Sequence, residues 1–397
     1  MWTYSKKLRA LTTAALLAMV APPLQAQPMP GGGDTDPGAD GGIKFRGSGF
    51  LTLAAGSVLN SGAAQGTSGY RCPCFISDYG EAGVYEKRGL RFQPDSRLGL
   101  QGTAEFSERY SLTTQVEWRG TDGVPDMEWL YGTMKLDHNM TLQAGRKRLP
   151  LFYYSESQDV GFSYPWVHLP PQMYGWEIVN YNGASLLYKG QRGDWSSGIN
   201  VFGGNENAKN SPYWKIYNGK DSKTESHWTN IAGAYFSLSN DWFEARLLYI
   251  QSNIQNTTIA PVAAVGPTTR QKVYGVSFNI DRAQWVVRSE FLYINRKESY
   301  GGDHAQLMGI GYRMGKWLPM ATYANYRQSV TANQTQAEAH STESLSLRYD
   351  LTTSSDVKLE FDHWRNRAQP QFFTAFPNAA IPAGQVNLLA ISYDMVF

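Results

Sequence analysis

The sequence predicts an all-β protein, a transmembrane antiparallel β-barrel of about sixteen strands, and three observations lead to it. The first is the final segment, Gln385 to Phe397, where Leu389, Ile391, Tyr393, Met395 and Phe397 alternate with Ala390, Ser392, Asp394 and Val396. That period of two places one set of side chains on each face of an extended strand. The second is composition. Mean hydropathy is −0.41 and no stretch after the N-terminal segment reaches 18 apolar residues, which excludes a helical membrane protein, yet Tyr, Phe and Trp make up 13% of the chain and Gly occurs 39 times. The third is that the same alternation recurs strand after strand, with charged residues opposite a continuous apolar face and no helical segment between.

The two ends of the chain carry address information. Lys6, Lys7 and Arg9 precede an apolar run from Leu11 to Leu24, and Ala26 offers a small residue at a cleavage point before Gln27. Residues 1–26 therefore read as a signal peptide. The run is too short for the ~20 residues of a membrane-spanning helix. Taking away its three basic residues leaves 33 Lys and Arg against 34 Asp and Glu, a balance of −1, so no nucleic-acid partner is implied. Residues 27–42, QPMPGGGDTDPGADGG, read as a flexible linker. At the other end, the strand finishing on Phe397 resembles the C-terminal assembly signal of Gram-negative outer-membrane proteins. The resemblance implies an outer membrane containing lipopolysaccharide as the destination and the barrel-assembly machinery as a partner.

Between these ends, residues 43–397 form the barrel. Strands are expected near 43–56, 95–106, 110–119, 127–137, 139–148, 177–190, 194–203 and 226–238. The second eight lie near 241–252, 269–281, 284–296, 304–315, 317–329, 341–353, 355–366 and 384–397. In the second, Leu98, Leu100 and Phe106 oppose Arg97, Gln101 and Glu105; in the third, Leu112, Val116 and Trp118 oppose Thr113, Glu117 and Arg119. Counts of 14 or 18 also fit the pattern. Short turns, such as Ser107 to Arg109 and Asp137 to Asn139, alternate with longer connections, as periplasmic turns alternate with external loops in bacterial barrels. Barrels of 16 to 18 strands enclose an aqueous channel rather than a packed interior.

The connection from Leu149 to Gly175 is the most distinctive interior segment. It follows Gly145-Arg146-Lys147-Arg148, contains Pro150, Pro165, Pro170 and Pro171, and has eight aromatics from Phe152 to Trp176 in or beside it. By the strand count it is the third external loop. Here the chain resembles the Gram-negative porins. The resemblance implies that this loop folds inward and narrows a water-filled diffusion channel for small hydrophilic solutes, that the assembly is a homotrimer, and that loop carboxylates face basic wall residues. The loop carboxylates are Glu156 and Asp159; the basic residues on inward faces are Arg97, Arg119, Lys135, Arg288, Arg313 and Arg348. Opposed charges at a constriction select solutes by charge and dipole. Some of these charges serve simply as solvated groups of a wet lumen. The loop aromatics serve either to pack the loop against the wall or to stack on a sugar or aromatic solute. Arg146 and Arg148 share parity with outward residues, so parity alone aims them away from the lumen.

The only cysteines, Cys72 and Cys74, lie in the first external loop, where an oxidising compartment favours a disulfide. A redox or soft-metal role is open by spacing, but no His or Cys nearby completes a zinc site. No cofactor is implied. Six histidines stand without a partner motif and G-x-S-x-G is absent, which argues against a lipase-like outer-membrane enzyme. The absence of C-x-x-C-H argues against covalent haem, though a scaffold for an electron-transfer partner is the other alternative.

Overall fold

The computed structural model describes residues 42–60, 65–67, 69–87, 89–121, 123–296, 301–329 and 337–397. The expected signal segment, and all of the expected linker but its last residue, lie outside the described residues. The first eight wall strands are β1 Lys44–Val58, β2 Arg97–Glu105, β3 Tyr110–Arg119, β4 Pro125–Lys135, β5 Met140–Arg148, β6 Asn180–Arg192, β7 Trp195–Ala208 and β8 Lys223–Ser239. The second eight are β9 Phe243–Ala260, β10 Thr269–Arg282, β11 Trp285–Arg296, β12 Gly301–Tyr312, β13 Trp317–Ser329, β14 Ala339–Asp350, β15 Ser355–Asn366 and β16 Gln385–Val396. The sheet counts one more, the two-residue Ala264–Val265, which pairs only with β9 outside the wall.

Each strand pairs antiparallel with its sequence neighbours, and β1 closes the ring. Its first half pairs with β2, from Lys44 opposite Glu105 to Thr52 opposite Arg97. Its second half pairs with β16, from Phe50 opposite Val396 to Val58 opposite Leu388. At the seam the Phe397 N–H donates to the Gly49 carbonyl at 3.0 Å, and the Gly49 N–H donates to the Phe397 carbonyl at 2.7 Å. The wall therefore has no free edge to template pairing with another chain. All sixteen expected strands are present, most within three residues of their expected ends. Only β7 and β9 run much further, into the loop end of the barrel.

The two faces of the wall differ as the alternation requires. Leu100, Leu112, Leu247, Trp285, Leu345 and Ile391 are exposed on the outside, a continuous apolar surface suited to hydrocarbon. The inside departs from the expected open lumen. Towards the loop end it is packed by two apolar clusters. One joins the third loop to β8–β13 through Ile250, Val273, Leu292 and Leu307. The other gathers Phe75, Ile76 and Tyr85 of the first loop with two short helices, α2 Pro212–Asn218 and α3 Pro370–Ala375; the remaining helix, α1 Pro171–Tyr174, belongs to the third loop. The reason is in the loops. Long connections rich in Tyr, Trp and Phe gain more by burying those rings than by extending into water. Cys72 and Cys74 form a disulfide in the first loop.

Candidate functional site: the third loop inside the barrel

The loop follows β5, whose backbone is irregular near its loop end. Gly145 holds φ at +137°, and a Cβ there would lie 2.7 Å from the Tyr131 Cα and collide with the Leu130 carbonyl. Only glycine fits that approach. Beyond it Lys147 and Arg148 are both buried, while Arg146 is partly exposed and pairs with Glu206 at 3.0 Å. Arg148, three residues past the irregular backbone at Gly145, is thus buried against its parity.

Inside, the loop lies along the wall formed by β9 to β15. Arg246 donates to the Phe152 and Pro150 carbonyls at 2.5 and 2.6 Å. The Trp166 indole N–H donates to Thr322 Oγ1 at 2.8 Å, and the Val167 N–H donates to Glu360 Oε2 at 2.8 Å. Glu290 accepts from the Tyr153 N–H at 2.8 Å and from the Tyr174 hydroxyl at 2.6 Å. Burial, with the Glu290 carboxylate beside it, raises the Tyr174 hydroxyl well above the ordinary phenol range, so it stays a donor.

Across the lumen, Asp159 meets the other wall. It lies 3.3 Å from Arg97 and 3.1 Å from Arg119, and it also pairs with Arg148. Arg119 reaches Glu117 at 2.7 Å, Glu81 at 2.9 Å and Glu128 at 3.1 Å, while Arg148 is 3.3 Å from Glu128. Guanidinium forks match carboxylates in plane, which makes such a lattice geometrically specific.

Of the expected site residues, the structure brings Asp159, Arg97 and Arg119 together. Arg348 touches the loop elsewhere, donating to the Phe162 carbonyl at 2.8 Å and pairing with Asp350 and Asp356 at 2.7 and 3.0 Å. Arg288 pairs with Asp281 at 3.0 Å and bonds to Tyr154 of the loop. Arg313 and Lys135 do not join them. Arg313 follows the turn end of β12 and pairs with Asp350 at 3.0 Å, and Lys135 is the exposed last residue of β4, also at a turn end. Strand parity gives a side chain's face but not its height along the barrel. Glu156 is exposed and stands apart from the arginines, within electrostatic reach of Lys147, Tyr131, Tyr181 and Tyr235. Arg148, Glu128 and Glu81, absent from the expected set, complete the lattice; no sequence spacing links Glu81 to Arg119.

The packing is therefore lopsided. Inward residues of β9–β15, such as Ile250, Leu292 and Met320, are covered by the loop. On β2, β4 and β5 the inward Gln101, Thr103, Thr133 and Gln143 stay half-buried and polar, while Thr113 and Gln115 of β3 are buried. Together with the exposed Glu156 of the loop, these half-buried groups make a polar crescent on that side of the interior.

No family's sequence model matches the chain, and no curated protein matches it. Solved structures do. The outer-membrane channel DcaP of Acinetobacter baumannii shares 10% identity at a TM-score of 0.55, covering 90% of this chain and 98% of that one. The fold is that of the outer-membrane porins. An anion-selective porin from Comamonas acidovorans matches at 13% identity and a TM-score of 0.53, covering 90% of this chain and all of that one. OmpF of Salmonella typhi, solved with daunomycin, matches at 10% identity and 0.53, covering 90% and 98%. At these identities the likeness to the porins is one of fold.

Proposed function

We propose that this chain is an outer-membrane porin, a passive channel for small hydrophilic solutes and ions, reached after removal of residues 1–26 and assembled as a homotrimer. It catalyses no reaction. The polar crescent carries this reading. Exposed Glu156 faces the Lys147 side of a wall lined by Tyr131, Gln143 and Gln101, giving a narrow path with opposite charges across it. The arginine lattice adds little net field, because Asp159, Glu81, Glu117 and Glu128 offset Arg97, Arg119 and Arg148. Likeness to proteins described as an outer-membrane channel and an anion-selective porin supports the reading. Purified protein in planar bilayers is expected to give small, stable conductance steps, and liposomes carrying it should swell with small sugars and not with large ones. A protein that inserts folded and yields no steps would sink the proposal.

A further inference from the structure

His168, in the third loop, has no role in the lattice or the crescent. It is 2% exposed and lies among three carboxylates, Asp95, Glu360 and Asp362, each 2% exposed or less. Asp95 ends the first loop, and the other two project from β15. His168 Nε2 is 3.4 Å from Asp362 Oδ2 and 3.7 Å from Glu360 Oε1. Neither His168 Nε2 nor Asp362 Oδ2 makes a hydrogen bond.

The other polar atoms of the same three side chains face neighbours of their own. His168 Nδ1 is 3.2 Å from Asp95 Oδ2, which also accepts from the Tyr85 hydroxyl at 2.8 Å. Asp362 Oδ1 accepts from the Ser344 hydroxyl at 2.5 Å, and Glu360 Oε2 accepts from the Val167 N–H at 2.8 Å. One further atom of each, Nε2, Oδ2 and Oε1, lies on the shared side of the cluster, and candidate ligand atoms of these residues lie within 4.8 Å of one another. A carboxylate behind the far nitrogen of an imidazole is how proteins orient a metal-bound histidine. Bonds of roughly 2.0–2.1 Å to a tetrahedral ion set ligand atoms about 3.3–3.5 Å apart, close to the spacings from Nε2.

We propose that His168, Glu360 and Asp362 bind one divalent transition-metal ion, Zn²⁺ by their donor set, and that the ion fastens the third loop to the barrel wall. One imidazole nitrogen and two carboxylate oxygens suit zinc, whereas Mg²⁺ and Ca²⁺ favour six or more oxygens. Charge agrees. A protonated imidazole offsets one of the three carboxylates, while a divalent ion beside a neutral imidazole offsets two. A small cavity lined by Ser77, Arg97, Gln158, Tyr164 and His168 borders the cluster on its His168 side.

The test uses the full folded chain, stripped with chelator and titrated with Zn²⁺ alone, then with Co²⁺ for its visible ligand-field band. One equivalent per chain and a tetrahedral Co²⁺ spectrum are expected. His168→Gln and Asp362→Asn should weaken binding at least 100-fold, and Asp95→Asn by about 10- to 100-fold. His138→Ala, in an exposed turn, should change nothing. Folding of each variant is read separately from its heat-resistant electrophoretic mobility. Wild-type protein that takes up no Zn²⁺ and shows no Co²⁺ band overturns the proposal, with or without folded variants. So does unchanged affinity in folded His168→Gln. Conductance is a separate readout, so the channel proposal stands or falls apart from this one.

Discussion

Replacing Asp159 by Asn removes one negative charge from between three guanidinium groups without changing the side chain's shape. Asp159, Arg97, Arg119 and Arg148 have side chains 8% exposed or less, so solvent screens little. Breaking a buried pair by removing one partner costs about 3–5 kcal/mol. Glu128 and Glu117 still offset Arg148 and Arg119, but among the described residues Arg97 keeps only the Gln158 carbonyl at 3.4 Å as a hydrogen-bond acceptor. The lower end, about 3 kcal/mol, is therefore the working figure. At about 1.4 kcal/mol per tenfold, it multiplies the ratio of lifted to seated loop by roughly two orders of magnitude. The rest of the loop stays tied by Arg246, Thr322 and Glu290, so the motion is local to the segment around Asp159. In planar bilayers Asp159→Asn is expected to show larger or flickering conductance. Its reversal potential in a salt gradient should move towards anions as the guanidiniums meet the path. A folded variant with wild-type conductance and reversal potential would refute the lattice as the loop's latch.

Other substitutions probe other parts of the same arrangement. Trp166→Ala empties a fully buried site and orphans Thr322; a loss of about 3–5 kcal/mol is expected, seen as a lower midpoint in thermal or denaturant unfolding with the barrel still formed. In Gly161→Ala the new methyl would collide with Asp394 and stand 2.6 Å from Thr52 Oγ1, so the loop should lift and conductance rise, with faster proteolysis within residues 149–179 as a second readout. Glu156→Lys changes an exposed side chain and should leave the unfolding midpoint within about 0.5 kcal/mol of wild type while moving the reversal potential towards anions. An unmoved potential would place the ion path away from Glu156.

The wall was legible in the sequence because each strand carries its own evidence. In β3, Leu112 and Trp118 against Thr113 and Glu117 give direction and face without any knowledge of neighbours. The lumen was legible only in part. Asp159, Arg97 and Arg119 have the right charge and face, and their meeting needed only the inward loop. Arg148 escaped because it is buried against its parity at the loop end of β5, and Lys135 and Arg313 were misplaced because period-two reasoning carries no height. His168 and Asp362 are 194 residues apart, and nothing local marks either one. Contacts made across a closed ring leave no spacing to read.

The third loop also imposes an order on assembly. It lies between β5 and β6, yet much of its seat is supplied later in the chain: Arg246, Glu290, Thr322, Arg348, Glu360, and Lys358, which donates to the Gly161 carbonyl at 2.5 Å. Asp394 and Thr52, from the two strands of the seam, flank the same glycine. The loop's aromatic rings therefore have no finished surface to rest on until β16 has paired with β1. Filling follows closure, and a half-built barrel is necessarily an unplugged one.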